Sequence, residues 1–574
     1  MSNYKNIFWV ALILLACSIG ACKKYEQFPV DKQTRSLVFD KYDSLGTNAY
    51  AYLTSMYGVL RDGHNVVGSD YLDAASDDAV SSAEGPTDAV TILSTASYNS
   101  FTLPVNENIW SGSQSYWAGI RMANEFVNNI GVVPVQQTYN GYSMKYEWKS
   151  EARFLRAYFY FELVKRFGGV PLLGNKVYTI NDNISLPRNS FDDCIKYIIS
   201  ECDAIKDSLL TNPIISPNAY YGRATKGAAM ALKARVLLYA ASPLFNGGNI
   251  DGANPLTGYT NADPSRWAQA AQAAKDVIGL NSFALDSSFT DVFLTQNNSE
   301  IIFIRQGDNG NAVESANGPV GFPGAKGLGR TSPTQDLVDA FPMNNGLPIS
   351  DPASGYDPNN PYVNRDPRLS YTVLYNGAQW LNTQLQTYEG GQSKPNTGQQ
   401  QTLTSYYMRK FMGNFENANS YGAHNEDWVI LRYAEVLLDY AEAENETLPA
   451  PSGEIYNAIV ALRKRAGISA GTDGMYGLKP GLRQADMRTV IHNERRVELA
   501  FEESRYFDIR RWKIAETVMN QPRKGETIIQ SGSATTYNVT NVLTTKFTQP
   551  KMYLYPIPYD EVLKNPNMKQ NPGW

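Results

Sequence analysis

The stretch that most constrains the fold is residues 147–167, which read EWKSEARFLRAYFYFELVKRF. Apolar residues at steps of three and four between positions 148 and 163 form one stripe along a helix. Those between positions 157 and 164 form a second stripe on another side. A helix that lies on a surface buries one face only, so two stripes predict a helix packed between other helices. Gly168, Gly169 and Pro171 are predicted to end it.

The local pattern of this helix returns twice. Residues 155–158 (LRAY) are echoed by residues 232–235 (LKAR) and 431–434 (LRYA), each beginning with leucine and a basic residue. Small residues at helical spacing let neighbouring helices approach closely, as in stacked helix-turn-helix repeats. The echoes are unevenly separated, so such an array would be interrupted by long insertions. Chance similarity among alanine-rich helices is the alternative.

The first 21 residues are predicted to be a leader rather than part of the fold. Lys5 precedes an apolar run at residues 7–16, which is shorter than the about 18 residues that a stable membrane span needs. The run is followed by Ile-Gly-Ala-Cys at residues 19–22, which resembles a bacterial lipobox. Cys22 is therefore predicted to carry lipid, with residues 22–44 as a tether. An ordinary signal peptide or an incidental cysteine is the alternative.

Two cysteines remain for the folded part, because Cys17 leaves with the leader and Cys22 is assigned to lipid. Cys194 and Cys202 lie in one predicted helix, with Ser190 as its N-cap. Eight residues at 1.5 Å rise separate them by about 12 Å, beyond the limit of about 7 Å between disulfide-bridged Cα atoms. They are predicted to be unpaired core thiols.

Composition excludes several classes of function. The net charge of −5 argues against a nucleic-acid surface, which would be basic. The chain has three histidines, His64, His424 and His492, and no two can share a helix face, which argues against a histidine metal site. Gly327 and Gly329 lack the third glycine of a dinucleotide fingerprint. We therefore expect no cofactor and no metal. The 37 tyrosines fit either a helical core or a stacking surface for sugar rings.

The remaining chain divides into three parts by its local patterns. Residues 45–300 show repeated amphipathic helix signals, interrupted by a polar loop at about residues 69–109 that is long for a simple connection. Residues 301–424 are dense in glycine and proline, with only short strand-like runs, and predict an irregular, loop-rich lobe. Helix signals resume over residues 425–574.

Six segments in this order resemble the SusD/RagB family of outer-membrane nutrient-binding lipoproteins. They are the lipobox leader, EARFLRAYFYFELVKRFGGVPL, PTQDLVDAF, ILRYAEVLLDYAEAEN, HNERRVELAFEESRYFDIRRW and the ending YPIP with NPNMKQNPGW. The resemblance implies a mainly α fold: a tetratricopeptide-like helical scaffold, an α/α superhelix, with a less regular lobe. The C-terminal helical part would complete that fold.

The resemblance also implies a location and a partner. A family member is anchored by lipid at the outer membrane, faces the cell exterior, and sits as a lid on a SusC-like TonB-dependent barrel. It captures an oligosaccharide or another polymer fragment, delivers it to the barrel, and is not an enzyme. Binding of a peptide or another nutrient, and a helical-repeat adaptor without a small ligand, are the alternatives.

The candidate ligand-binding residues come from side-chain chemistry, since no family motif assigns them. Aromatic faces stack on sugar rings, and Asp and Asn bind the flanking hydroxyls. The candidates are Tyr71, Asp73, Asp77, Asp78, Asn106 and Trp110 in the early loop, with Phe322 and Trp380 in the irregular lobe. The alternative places the tryptophans in the core and the aspartates in a solvated loop or helix cap.

Two charged sets invite a catalytic interpretation. Asp73 with Asp77 or Asp78 could be imagined as a glycosidase pair, which needs two carboxylates about 5–10 Å apart. The family resemblance counts against hydrolysis. The second set, Glu494, Arg495, Arg496, Glu498, Arg505, Asp508, Arg510 and Arg511, has a spacing that predicts ion pairs between helices.

Overall fold

The computed structural model describes residues 34–83, 85, 87–104, 107–112, 115–211 and 221–574. The leader and the lipidation candidate Cys22 therefore lie outside the described residues. Among the described helices, none combines the length and the apolar character that crossing a membrane requires.

Helices dominate the described chain. In order they are α1 (Arg35–Val38), α2 (Thr47–Tyr57), α3 (Ala89–Ser94), α4 (Tyr116–Asn129), α5 (Met144–Phe167), α6 (Phe191–Ile205), α7 (Lys226–Ala241), α8 (Ser265–Ile278), α9 (Asp291–Leu294), α10 (Ala312–Asn317), α11 (Gln335–Ala340), α12 (Pro367–Thr372), α13 (Tyr433–Thr447), α14 (Gly453–Ala466), α15 (Gln484–Glu498), α16 (Ser504–Arg511), α17 (Ala515–Val518) and α18 (Tyr559–Lys564).

The strands are short and pair two by two, all antiparallel. They are β1 (Ala79–Ser81), β2 (Thr138–Tyr139), β3 (Tyr142–Ser143), β4 (Ile301–Arg305), β5 (Asn309–Gly310), β6 (Thr331–Pro333), β7 (Val373–Leu374), β8 (Gln379–Trp380), β9 (Thr383–Gln384), β10 (Tyr407–Met408), β11 (His424–Asn425), β12 (Trp428–Arg432), β13 (Arg523–Ser531) and β14 (Ala534–Leu543). The pairs are β1 with β6, β2 with β3, β4 with β12, β5 with β11, β7 with β10, β8 with β9, and β13 with β14.

The C-terminal half of helix α5 is almost wholly buried, as its two stripes predicted, whereas Tyr146 in its first turn is exposed. Phe159 packs against Tyr116 of α4, with ring centroids 4.9 Å apart. Phe154 meets Phe303 of β4 edge to face at 4.9 Å, and a third face places Phe161 5.4 Å from Tyr239 of α7. Aromatic side chains on every face let one helix pack against three elements.

The helices pack in chain order into a layered array. Helix α4 packs on α5, α5 on α6, α6 on α7, and α7 on α8; α8 then packs on α13, which also contacts α14 and α15. The irregular lobe is inserted between α8 and α13. The prediction of a mainly α, tetratricopeptide-like repeat scaffold with a loop-rich insertion is confirmed.

The third sequence echo is only partly helical. Leu431 and Arg432 lie in β12, which pairs with β4, and α13 begins at the next residue. The pairing accounts for this difference, because β4 offers the backbone partners that residues 428–432 use in place of a helical turn.

Cys194 and Cys202 are buried in α6 and unpaired within the described part of the chain, as predicted. Ser190 caps the helix: its Oγ accepts a hydrogen bond from the Asp193 amide at 3.0 Å. The sulfur of Cys194 also accepts from the Val170 amide, so α6 is fixed against the segment that follows α5.

Candidate ligand-binding clefts

The aspartates of the early loop lie inside the protein. Both oxygens of Asp77 accept hydrogen bonds from Arg505, at 2.8 and 2.7 Å, and Asp78 accepts from Arg496 at 2.6 Å. Asp73 accepts from the Phe501 amide at 3.1 Å. These carboxylates join the early loop to the C-terminal helices and are not available to a ligand in this structure.

Burial and charge set the protonation of these carboxyls. Burial raises the pKa of Asp73 well above its ordinary value, and the nearby Asp78 raises it further. Burial also favours a high pKa at Asp77, but Arg505 and Arg496 outweigh it and lower the pKa. An acid and a base with separated pKa values suit a glycosidase. Here, however, the side chains are almost wholly buried, with Asp77 the most exposed at 5%. A substrate cannot reach them.

Two aromatic candidates are also buried. Tyr71 stacks on Phe411 with an interplanar angle of 5°, and its hydroxyl lies 2.7 Å from Nδ1 of His64. Trp380 is fully buried and donates its Nε1 hydrogen to the hydroxyl of Tyr421 at 3.2 Å. Both rings belong to the core that supports the irregular lobe.

The other candidates divide into three cases. Phe322 is partly buried and packs against the main core. Asn106 lies outside the described residues. Trp110 is 4% exposed, but it lines a surface cleft, and among the early-loop candidates that the structure describes it alone does so.

The aromatic cleft, as we name it, has a volume of about 530 Å³. It lies between the start of α4, the segment at residues 171–186, and α18 with the residues that follow it. Its described lining is Trp110, Ser111, Gly112, Ser115, Trp117, Pro171, Leu173, Tyr178, Ile184, Ser185, Leu186, Glu561, Lys564, Asn565 and Met568.

Aromatic rings that pack edge to face form one wall of the aromatic cleft. Trp110 and Trp117 meet edge to face with centroids 5.2 Å apart, and Trp110 makes the same contact with Phe167 at the end of α5. Trp117 is partly exposed, but its Nε1 atom is buried and has no hydrogen-bond partner among the residues that the structure describes. The exposed part of an indole ring at a concave surface can stack on a ligand.

Side-chain hydrogen bonds to backbone carbonyl groups hold the opposite wall. Arg121 of α4 donates to the carbonyl of Tyr178 at 2.5 Å, and Asn565 donates to the carbonyl of Leu186 at 2.7 Å. The loop at residues 171–186 is thus anchored at both sides of the cleft. The cleft combines apolar floor residues with hydroxyl, amide and charged groups, and its volume falls in the range of small-ligand sites.

A second feature, the amide groove, has a volume of about 580 Å³ and is polar. It forms where the loop after β1 meets the irregular lobe. Gln400 donates to Oγ of Ser82 at 2.9 Å across this junction. The described lining is Ser82, Ala83, Asn396, Gly398, Gln399, Gln400, Gln401 and Leu403.

Sequence reasoning missed most residues of both features. Trp117, Tyr178 and Asn565 were not among the candidates, and no residue of the amide groove was named. The run Asn-Thr-Gly-Gln-Gln-Gln at residues 396–401 is a signal that could have indicated the groove, because consecutive side-chain amides suit hydroxyl ligands.

The C-terminal charged run is structural, as predicted. Arg505 pairs with Asp77 of the early loop, and Asp508 pairs with Arg511 at 2.7 Å. Arg511 also binds Glu442 of α13 at 2.5 Å. Buried charges are tolerated when each finds a partner, and these pairs connect α13, α15 and α16 to the early loop.

The fold defines a class: a helical-repeat protein with a loop-rich inserted lobe and open clefts on its surface. The SusD family model matches residues 299–574. A second model, described as "Starch-binding associating with outer membrane", matches residues 43–238. The chain belongs to the SusD family.

Relatives extend over nearly the whole chain. SusD-like protein P2 of Formosa agariphila is 25% identical over 485 residues, covering 83% of each chain. A SusD-like protein from Bacteroides fragilis NCTC 9343 superposes with a TM-score of 0.74 at 26% identity, covering 95% of this chain and 100% of that one. A SusD-like carbohydrate binding protein from the same organism gives 0.70 at 27%, covering 92% and 99%.

Proposed function

We propose that this protein captures an oligosaccharide at the outer face of the outer membrane and delivers it to a SusC-like TonB-dependent barrel. It is held there by lipid on Cys22 and transforms no substrate. Family membership supports this proposal, since one matching family model is described as starch-binding and one similar structure is that of a carbohydrate binding protein. The single structural observation that carries it is the aromatic cleft.

The aromatic cleft suits a sugar ring. Carbohydrates present apolar C–H faces and polar edges, so they bind where an aromatic face lies beside hydrogen-bonding groups. Trp117 and Tyr178 offer partly exposed rings, while Ser115 and Ser185 offer partly exposed polar groups on the same cleft. Open sites of this kind bind with dissociation constants between about 1 µM and 1 mM, which allows release to a partner.

The amide groove is the second place where a glycan could bind. Glutamine side chains both donate to and accept from sugar hydroxyls. The groove lacks an aromatic wall among its described lining residues, so we place the ring-stacking subsite in the aromatic cleft. A peptide ligand remains the alternative class, because its backbone would use the same amide groups.

Titration by calorimetry of the purified protein tests the proposal. The probes are α-linked and β-linked gluco-oligosaccharides, xylo-oligosaccharides and a mixed-sequence peptide of similar length. Trp117→Ala is expected to weaken glycan binding by about tenfold or more, since base or sugar stacking on an aromatic ring contributes on the order of 1–3 kcal/mol. Gln400→Ala, in the amide groove, is the matched variant and is expected to leave that binding within about twofold.

Each outcome has a defined meaning. Loss of binding in Gln400→Ala alone would move the site to the amide groove and keep the function. Binding of the peptide but of no glycan would replace the ligand class. Hydrolysis of any probe during prolonged incubation would contradict the non-enzymatic role. Affinity purification from the native outer membrane should also recover a large TonB-dependent barrel.

A further inference from the structure

A cluster of one histidine and two glutamates shares no residue with the described lining of the aromatic cleft or of the amide groove. Glu314 comes from α10, His424 from β11, and Glu426 follows β11 directly. One candidate ligand atom from each residue lies within 4.8 Å of the others. The pairing of β11 with β5, which places His424 opposite Gly310, holds the two segments together.

The histidine ring faces oxygen on both sides. Its Nδ1 lies 2.9 Å from the carbonyl oxygen of Asn425, and its Nε2 lies 2.8 Å from Oε1 of Glu314. A neutral imidazole carries one N–H, so it can donate to only one of these acceptors. With Nδ1 donating to the carbonyl, the lone pair of Nε2 points towards a carboxylate. A cation at Nε2, either a proton or a metal ion, removes that repulsion.

The arrangement of His424 matches that of a metal ligand. Histidines that bind metals usually donate their second ring N–H to a carbonyl or carboxylate, which fixes the tautomer and the ring orientation. The Nδ1 contact with Asn425 does this within the same strand.

Glu314 provides an independent observation. Its side chain is fully buried, and Oε1 accepts from the Gly413 amide at 2.8 Å. Its other oxygen, Oε2, is buried without a hydrogen-bond partner among the residues that the structure describes. Burying a carboxylate oxygen without a partner is costly, so its presence here indicates a ligand.

The charge balance points the same way. The buried glutamates of the C-terminal network are paired with arginines, as with Glu442 and Arg511. Within the described chain, no arginine or lysine forms an ion pair with Glu314 or Glu426. Two facing carboxylates without a guanidinium leave a local negative charge that a divalent cation would neutralise.

We propose that Glu314, His424 and Glu426 form a binding site for a zinc-class divalent metal ion. One imidazole nitrogen with two carboxylates is a donor set that suits Zn²⁺, whereas Ca²⁺ and Mg²⁺ prefer oxygen ligands only. Three protein ligands leave the fourth position of a tetrahedral ion to water. The side chain of His424 is 14% exposed, which gives the ion access from solvent.

The ion would cross-link two segments of the irregular lobe. It would join α10 to β11, which are about 110 residues apart in the chain. Phe415 lies 6.2 Å from His424 between ring centroids and packs edge-on against Trp380 at 6.1 Å. The metal site would therefore adjoin the aromatic core of the lobe. This inference does not depend on the proposed function.

Metal binding is tested on the purified protein after dialysis against a chelator. Calorimetric titration with Zn²⁺ is expected to show one equivalent bound and a higher melting temperature, with no comparable response to Mg²⁺. Co²⁺ is expected to give visible absorption bands of a four-coordinate site. Absence of stoichiometric Zn²⁺ binding would overturn the proposal and leave a protonated histidine as the bound cation.

Variants locate the ion. His424→Gln and Glu426→Gln are each expected to weaken Zn²⁺ binding by about a hundredfold or more. Glu426 is only partly buried, so its variant keeps the test decisive if His424→Gln folds poorly. Glu389→Gln, an exposed glutamate of the same lobe that pairs with Lys394, is the control and should bind as the unmodified protein does. Equal Zn²⁺ affinity in all three variants would place the metal elsewhere.

Discussion

Trp110 and Trp117 line one cleft but differ in burial. Their alanine variants should therefore differ in how much stability and how much ligand binding they lose. Trp110 packs against Phe167 and Trp117 and is 4% exposed. Trp110→Ala is expected to destabilise the fold by about 3–5 kcal/mol, because it leaves a large cavity. Trp117→Ala should cost less stability and affect glycan binding more. Urea denaturation followed by circular dichroism measures the first effect, and equal losses in both variants would contradict it.

Glu147 predicts a dependence of stability on pH. Burial raises its pKa from the ordinary 4.5 to about 9, and Glu151 contributes. A carboxyl with a higher pKa in the folded state binds its proton more tightly there. Its contribution to stability is therefore complete below pH 4.5 and is lost as the pH rises towards 9. Between pH 5 and pH 8, the unmodified protein should lose more stability in urea denaturation than Glu147→Gln does. Parallel losses would contradict this prediction.

Sequence-based predictions for single residues were wrong where they depended on whether a side chain is buried in the folded protein. The polar composition around Asp73, Asp77 and Asp78 indicated an exposed loop, and a local pattern cannot show otherwise. Their partners are the Phe501 amide for Asp73, Arg505 for Asp77 and Arg496 for Asp78, all more than 400 positions later. The expectation of no metal stays a prediction: it compared histidines with each other, whereas the proposed site combines one histidine with two glutamates.

At the scale of elements, the end of α5 depends on Gly168. Its φ is +76°, and a Cβ there would lie 2.3 Å from the carbonyl oxygen of Leu256. Gly168→Ala should therefore destabilise by more than the about 1–2 kcal/mol that a left-handed backbone costs an L-residue. Gly141→Ala is the matched control: its φ is +85°, and no described atom lies within 4 Å of the added Cβ. Thermal unfolding compares the two, and equal shifts would contradict the clash.

Helices were predicted well because their signals are local. Helix α5 ends where it was predicted to end and extends the predicted helix by three residues at its start. The pairing of β12 with β4 could not be predicted from either segment alone. The long β13–β14 hairpin was missed, although its Thr- and Ile-rich strands and the turn at Gly532, with φ of 60°, are hairpin signals.

At the scale of the molecule, the pair of Asp77 and Arg505 joins the early loop to helix α16 near the C-terminal end of the chain. Both side chains are buried. Removing one partner leaves a buried charge, so Arg505→Met is expected to cost about 3–5 kcal/mol in the free energy of unfolding. The double variant Asp77→Leu with Arg505→Met should recover much of that loss. Chemical denaturation of the three variants tests this, and additive losses would show that the two residues act independently.

The architecture as a whole was predictable and the ligand surface was not. The scaffold follows from alanine- and aromatic-rich helices, whose pattern recurs along the chain. The clefts are formed by segments distant in sequence, as where Ser185 and Asn565 line one wall. Their residues are therefore unremarkable until the fold brings them together.

The contact between Asp77 and Arg505 spans 428 positions. It can form only when nearly all of the polypeptide has been made, so the first helices lack their closing partners throughout synthesis. Contacts of such long range form late and slowly. The native structure is therefore completed only when synthesis is nearly finished, which would suit the export that the proposed function requires.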